Sequence, residues 1–195
     1  ESDSIVLGDG RNVPADITIA GVGSMPETSL ALTAGLALDN GIACDTQMRT
    51  SDPHIFAAGD CCSFTHPLYD NRRIRLEAWR SAQDQGAVAA ENMLGGDRTY
   101  EAVPWFWSDQ YELTLQIAGL PTDGLRMVTR QLRDGAFIDF EFDASGRLVC
   151  ASGIGPGNFI ARDIRLAQML IAKRAAPDPV ALADAATGLK SLLAA

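Results

Sequence analysis

TSDPHIFAAGD, residues Thr50 to Asp60, is the stretch on which the reading of this chain turns. Ile55, Phe56, Ala57 and Ala58 form a compact apolar run bounded by turn residues, which predicts a short buried strand of a parallel sheet. Gly59 and Asp60 follow at once. Ligands of open α/β sheets collect at the carboxyl ends of such strands, so the spacing puts a carboxylate where a ligand belongs. An ionised carboxylate only accepts hydrogen bonds and therefore suits a sugar or polyol hydroxyl. Gly59 lets such a chain lie against the backbone. Upstream, Thr50, Ser51 and Asp52 before Pro53 read as a turn, because a residue preceding proline is pushed out of the helical region. From these residues alone, a strand that simply ends in an aspartate turn is an equally available reading.

Composition narrows the classes. A chain of 195 residues that is 47% apolar can bury a real core. Its net charge of −9, from 25 acidic and 16 basic residues with no basic run, argues against a nucleic-acid surface. No apolar stretch reaches the length of a membrane span, and ESDSIVLGDG lacks the order of a signal peptide, so the expectation is a cytoplasmic chain whose start is internal. Cys44, Cys61, Cys62 and Cys150 contain no CxxC pair, and only two histidines are present, so no metal site is expected and the thiols are read as free.

Taken in order, SIVLGDG opens as a hairpin strand, and Asp16 to Ala20 reads as a buried strand ending at Gly21 and Gly23. Thr28 or Ser29 caps a short helix, SLALTAG, that stops at Gly35. Ile42 to Asp45 and Met48 to Thr50 return to strand. The segment carrying His66, Pro67 and Tyr69 has turn chemistry and no periodicity. From about Ala78 to Leu94 the pattern is helical, and Gly95, Gly96 and Asp97 end it. A helix starting near Trp79 presents unpaired backbone N–H groups and a positive dipole end, suited to negative charge. VPWFWSDQ is extended and aromatic-dense, and Trp105, Phe106 and Trp107 cannot share one face. Four runs follow, Thr114 to Gly119, Arg126 to Leu132, Ala136 to Phe142 and Arg147 to Ser152, separated by turns at Pro121 to Gly124, at Asp134 with Gly135, and at Ala144 to Gly146. They read as an antiparallel meander. Asn158 to Lys173 is a helix that covers the sheet.

The order GVG, TxxxxIxAxGD, EAWRSAQDQG, PWFWSDQ resembles the FAD- and NAD(P)-dependent ferredoxin reductases that serve oxygenase systems, the putidaredoxin reductase and biphenyl dioxygenase reductase type. The likeness covers the whole chain but only the C-terminal half of such an enzyme. It implies an α/β region, part of the FAD/NAD(P)-binding fold, followed by an α+β antiparallel-sheet C-terminal reductase domain. Residues 1–27 would end the NAD(P)-binding domain, 28–97 form the second segment of the FAD domain, and 98–195 make the C-terminal domain. By the same resemblance Asp60 and Gly59 meet the flavin ribityl chain, and the Trp79 backbone N–H meets the N1 and O2 edge of the flavin. Glu77 lies on its nicotinamide side, Trp107 approaches the isoalloxazine, and Gly21 lies beside NAD(P)H. The implied partner is a small iron–sulfur ferredoxin, with Arg72, Arg73, Arg75 and Arg80 as part of its docking patch, and the implied assembly is a homodimer.

No GxGxxG turn occurs, whereas this chemistry needs two, one for each dinucleotide. Both are expected N-terminal to Glu1, which leaves a half-site without reductase activity of its own. Two other classes stay open at this point, a non-redox binding or oligomerisation module and a different flavoenzyme of the same superfamily.

Overall fold

A computed structural model of the chain describes residues 3–121 and 126–193. It opens with the expected hairpin, β1 (Ser4–Val6) antiparallel to β2 (Asn12–Pro14). The strand expected at Asp16 to Ala20 does not form. Ile17 and Ile19 are almost fully exposed, because no described element lies alongside them; an apolar run reports a preference for burial and supplies no partner. Helix α1 (Ser29–Thr33) does form, and Gly35 ends it with φ of 71° while the Leu36 N–H closes on the Ala31 carbonyl at 2.9 Å.

Strands β3 (Ile42–Cys44), β4 (Cys62–His66) and β5 (Arg72–Arg75) make a three-stranded sheet, β3 parallel to β4 and β4 antiparallel to β5. The parallel strand therefore lies after Asp60, not before it. Ile55 to Ala58 is an extended segment with a single isolated bridge, Arg49 to Phe56. It folds back on Met48 to Thr50 through Ala57 N–H to the Met48 carbonyl and Thr50 N–H to the Ile55 carbonyl, so its own hydrogen bonds are spent locally. In β4, Ser63 and His66 are buried beside Cys62 and Phe64, which hides the strand from any search for apolar alternation.

Helix α2 (Trp79–Met93) lays Val88 and Ala89 against Cys44, Met48, Cys62, Phe64 and Tyr100 to close the first core. Asn92 ties its far end to the chain beyond, donating to the carbonyls of Gln47 and Arg98 at 2.9 and 2.8 Å.

The second core is built on one antiparallel sheet of β6 (Trp105–Gln110), β7 (Leu113–Gly119), β8 (Met127–Gln131), β9 (Phe137–Phe142) and β10 (Leu148–Pro156). The spatial order is β6-β7-β10-β9-β8, a Greek-key order and not the simple meander expected. The strand runs are where the sequence puts them, but β7 pairs with β10 and the chain crosses to the far edge to begin β8. The turn expected at Pro121 to Gly124 lies mostly outside the described residues. Helix α3 (Ala161–Ala172) covers the sheet with Ile164, Ala167, Leu170 and Ile171, each large side chain contributing roughly 1.5 to 3 kcal/mol on burial. A last turn, α4 (Pro179–Ala183), is capped by the Asp178 carboxylate on the Val180 N–H at 3.0 Å.

Three hydrogen bonds from β4 and the 3-10 turn after it fasten the first core to the chain beyond α2. His66 Nε2 donates to the Ala102 carbonyl at 3.0 Å, the Tyr69 hydroxyl donates to the Val149 carbonyl at 3.1 Å, and Arg174 donates to the Pro67 carbonyl at 2.5 Å. They set where the start of α2 meets β6.

Candidate functional site

Four features converge at the start of α2. Gly59 adopts φ of 83°, and its N–H donates to the buried Gln85 Oε1 at 2.8 Å, which clamps the Gly59–Asp60 bend onto the second turn of the helix. The Asp60 side chain is exposed beside that bend. Its own carbonyl accepts from Arg75 Nη1 at 3.0 Å, and the same nitrogen donates to Glu77 Oε1 at 2.5 Å. One guanidinium thus connects Asp60 with Glu77. Gln85 and Arg75 are the residues the sequence reading left out of this role; an arginine two positions before a glutamate on a strand that runs into a helix was the available signal.

The helix begins uncapped. Ala78 offers no side-chain acceptor and no acidic residue lies in the first turn, so the backbone N–H of Trp79 and its neighbours keep their donors free and the dipole end stays uncompensated. Trp79 is exposed and meets the Trp107 ring edge-on at 6.4 Å between centroids, while Trp105 stacks on Trp107 at 5.2 Å. All three tryptophans of the chain therefore gather in one wall. Trp105 and Trp107 share a face of β6 and Phe106 takes the other, as strand alternation requires. A mostly apolar cleft of about 210 Å³, lined by Leu76, Glu77, Ala78, Pro104, Trp105 and Phe106 among others, lies beside the helix start; Asp60, Trp79 and Trp107 are not part of its lining.

Arg75 first, and the Ser24 hydroxyl second, hold the Glu77 carboxyl below the usual glutamate range. The folded-state value is depressed, so the Arg75–Glu77 contact is intact above the ordinary glutamate pKa and is lost as pH falls through the folded value. Replacing Arg75 with Gln is expected to move the Glu77 carboxyl titration, followed by its side-chain carbon resonance, upward towards the ordinary glutamate value, with the Ser24 contribution remaining. A titration midpoint identical to that of the parent chain would mean that Arg75 does not hold this charge.

Not every expected residue joins the cluster. Gly21 stands in open surroundings with nothing near the position a Cβ would take, and Ser24 is the member of its segment that reaches Glu77. The four arginines expected as one basic patch are largely committed elsewhere. Arg73 pairs with Asp39 at 3.3 Å and donates to the Cys44 and Ser63 carbonyls, Arg75 pairs with Glu77, and Arg80 pairs with Asp84 at 3.1 Å. Arg72 lies over the Tyr69 ring. Alternation along β5 thus disperses Arg72, Arg73 and Arg75, and acids pair with Arg73, Arg75 and Arg80 but not with Arg72. All four cysteines are free, and no metal-binding cluster of His, Cys, Asp or Glu occurs among the described residues. No helix among them is long and apolar enough to cross a membrane.

An acceptor-only carboxylate, open backbone donors at a helix start and a flat aromatic wall fit a ligand that carries a polyol chain and an electron-rich ring edge. Comparison with known proteins gives independent findings on family. Residues 1–86 match the family model described as pyridine nucleotide-disulphide oxidoreductase, and residues 105–193 match the one described as reductase C-terminal. The chain is 44% identical over 191 residues to the anthranilate 1,2-dioxygenase system ferredoxin–NAD(+) reductase component of Burkholderia cepacia, which covers 97% of this chain and 46% of that one. It is 37% identical over 193 residues to putidaredoxin reductase of Pseudomonas putida, covering 98% and 44%. Among solved structures, the ferredoxin reductase for the CYP199A2 system of Rhodopseudomonas palustris superposes with a TM-score of 0.87 at 34% identity, covering 97% of this chain and 46% of that one. The covalent putidaredoxin reductase–putidaredoxin complex gives the same TM-score at 34% identity, covering 98% and 45%. The chain spans about half the length of these relatives.

Proposed function

Because residues 1–86 of this chain belong to the pyridine nucleotide-disulphide oxidoreductase family and residues 105–193 to the reductase C-terminal family, we propose that it works as part of a flavoprotein ferredoxin reductase. The reaction is electron transfer from NAD(P)H through FAD to a small iron–sulfur ferredoxin of an oxygenase system. The observation that carries this reading is the meeting of Asp60, Glu77, the uncapped start of α2 and the Trp79–Trp107 pair around one bend.

FAD, when bound, supplies the conversion of a two-electron hydride into electrons delivered singly. The chain's own residues have simpler tasks. Asp60 accepts hydrogen bonds from ribityl hydroxyls, with Gly59 giving the polyol room against the backbone. The N–H of Trp79, free at the uncapped start of α2, would hold the ring where the helix dipole favours negative charge. Trp107 excludes water from the ring on the side where electrons leave. Glu77, held charged by Arg75, stands on the side that receives the nicotinamide, and the Gly21 segment reaches it through Ser24. In this reading residues 1–27 close the NAD(P)-binding domain, 28–97 complete the FAD domain and 98–195 form the C-terminal domain. The assembly is a cytoplasmic homodimer.

The test uses a polypeptide of the relatives' length. It should bind FAD and reduce a ferredoxin at the expense of NAD(P)H, and Trp107→Ala should slow ferredoxin reduction roughly tenfold, equivalent to about 1.4 kcal/mol in the barrier, with FAD content unchanged. Ferredoxin reduction at the parental rate in Trp107→Ala would remove that residue from the exit route, and absence of FAD from the parent polypeptide would remove the whole reading.

A further inference from the structure

A second cleft, of about 430 Å³, lies beside Trp105, between α2 and the start of α3. It is lined by Arg80, Trp105, Gln116, Asn158, Ala161, Arg165 and Gln168. Two guanidinium groups and three side-chain amides therefore face one space, and no carboxylate is among the lining residues. In a chain with a net charge of −9 this is a local reversal of sign.

The polar groups are held in place. Gln168 Nε2 donates to the Val103 carbonyl at 3.4 Å, and its Oε1 accepts from Arg165 Nη1 at 2.5 Å. Arg165 is thus oriented by a neutral amide and keeps its full charge, unlike Arg80, whose Nε is shared with Asp84. Asp163, the acid in the first turn of α3, lies 3.7 Å from the buried Arg130 instead. Gln116 on β7 is only 6% exposed, lines the cleft and makes no side-chain hydrogen bond among the described residues. Its amide faces that opening, where a ligand can take the place of water as its partner. Ala161, at the start of the 12-residue helix α3, closes the rim; its own N–H is taken by the Asn158 carbonyl at 3.1 Å, so this residue adds shape and not a donor.

We propose that this cleft is a binding site for a small oxyanion group, a carboxylate or phosphate, held by Arg165 and Arg80, with Gln116 donating from the floor and Trp105 as the wall. A guanidinium fork matches both oxyanions, and the amides complete their remaining lone pairs. The cleft shares Trp105 with the aromatic wall, but its polar lining has no residue in common with Asp60, Arg75 and Glu77, and the proposal does not depend on the flavin reading.

Inorganic phosphate and benzoate serve as the two probes, titrated into the chain while the Trp105 indole and Gln116 side-chain amide resonances are followed, with sodium chloride at matched ionic strength as the control. Saturable shifts of both resonances are expected. Arg165→Ala should weaken binding at least tenfold, and Gln116→Leu should weaken it while removing the amide reporter. Arg165 is exposed, so its replacement is expected to leave the melting temperature in place. Saturation by benzoate alone would assign the site to carboxylates, and saturation by phosphate alone to phosphates. Shifts that are absent, that sodium chloride reproduces, or that persist unchanged in Arg165→Ala would overturn the proposal.

Discussion

Arg130→Met is expected to destabilise the chain by about 3 to 5 kcal/mol, the range found when one member of a buried charged network is removed. Arg130 sits on β8, is almost fully buried, and spends its guanidinium on the end of the chain. Nε donates to the Leu182 carbonyl at 2.7 Å, and Nη2 donates to the Thr187 carbonyl at 2.9 Å and the Ala181 carbonyl at 3.4 Å. Asp163 on α3 lies 3.7 Å away, so the charge is compensated as well as hydrogen-bonded. Methionine fills much of the same volume but leaves three carbonyls facing an apolar side chain, and each buried acceptor without a donor costs about 1 to 3 kcal/mol. Because those acceptors belong to α4 and the segment after it, the damage should be local before it is global. Residues 177–193 should become the first site of limited proteolysis, ahead of urea unfolding. A urea-derived loss below about 1 kcal/mol, together with an unchanged cleavage pattern, would show that α4 is held by Leu182 and Leu189 packing alone.

Acid should reduce stability through His66, at the joint between the two cores, from about pH 6.5 downward, before most carboxylates titrate. His66 is fully buried among Phe64, Tyr69 and Tyr100, and burial pushes its imidazole down to about 4, with the cationic Arg174 and Arg72 acting in the same direction. Its hydrogen bonds suit the neutral ring: Nε2 donates to the Ala102 carbonyl, and Nδ1 accepts from the Leu68 N–H at 3.3 Å. A second ring proton would set donor against donor at Leu68. The folded value lies below the ordinary histidine value of 6.5, so the unfolded chain takes up the proton first. Stability from this residue is complete above about pH 6.5, declines as pH falls towards 4, and has no more to lose below that; the total is about 3 kcal/mol. Urea unfolding at pH 7.5 and pH 4.5 should show a drop in the parent chain about 2 to 3 kcal/mol larger than in His66→Gln, whose amide can still donate to Ala102. Parallel drops in the two proteins would mean that His66 carries a proton comfortably in the fold.

Both of these residues show where the sequence stops speaking. Arg130 lies in a strand that alternates ordinarily, and only the return of the chain at α4, more than fifty positions later by hydrogen-bond separation, tells that its side chain faces inward. His66 ends a strand in which Ser63 is buried too, and only its imidazole reaches a distant carbonyl, at Ala102, so local patterning cannot distinguish such a strand from a loop. The opposite error occurs at Ile55 to Ala58 and at Asp16 to Ala20, where apolar runs suggest strands but local backbone bonding or the lack of a neighbour decides otherwise. Elements with local grammar were legible. α2 ends with a run of glycine, α1 ends at Gly35, and turn residues separate β7 to β10. Their pairing order was not legible, because joining β7 to β10 is a long-range choice that no turn encodes. At the site, motif order singled out Asp60, Glu77, Trp79 and Trp107, and the structure places them around the start of α2. The bridging guanidinium of Arg75 and the clamp from Gln85 arise only when the Gly59 bend is seen against the helix.

Asp60 is assigned to accept hydroxyl protons from a flavin polyol, and the most direct measurement is FAD affinity by fluorescence titration in a polypeptide of the relatives' length carrying Asp60→Ala. Hydrogen bonds to a charged acceptor are worth about 1.5 to 3 kcal/mol each, so the dissociation constant should rise roughly 10- to 100-fold, with Asp60→Asn falling between. An FAD dissociation constant within about twofold of the parent in both variants, in protein that remains folded, would contradict the assignment of this bend to flavin.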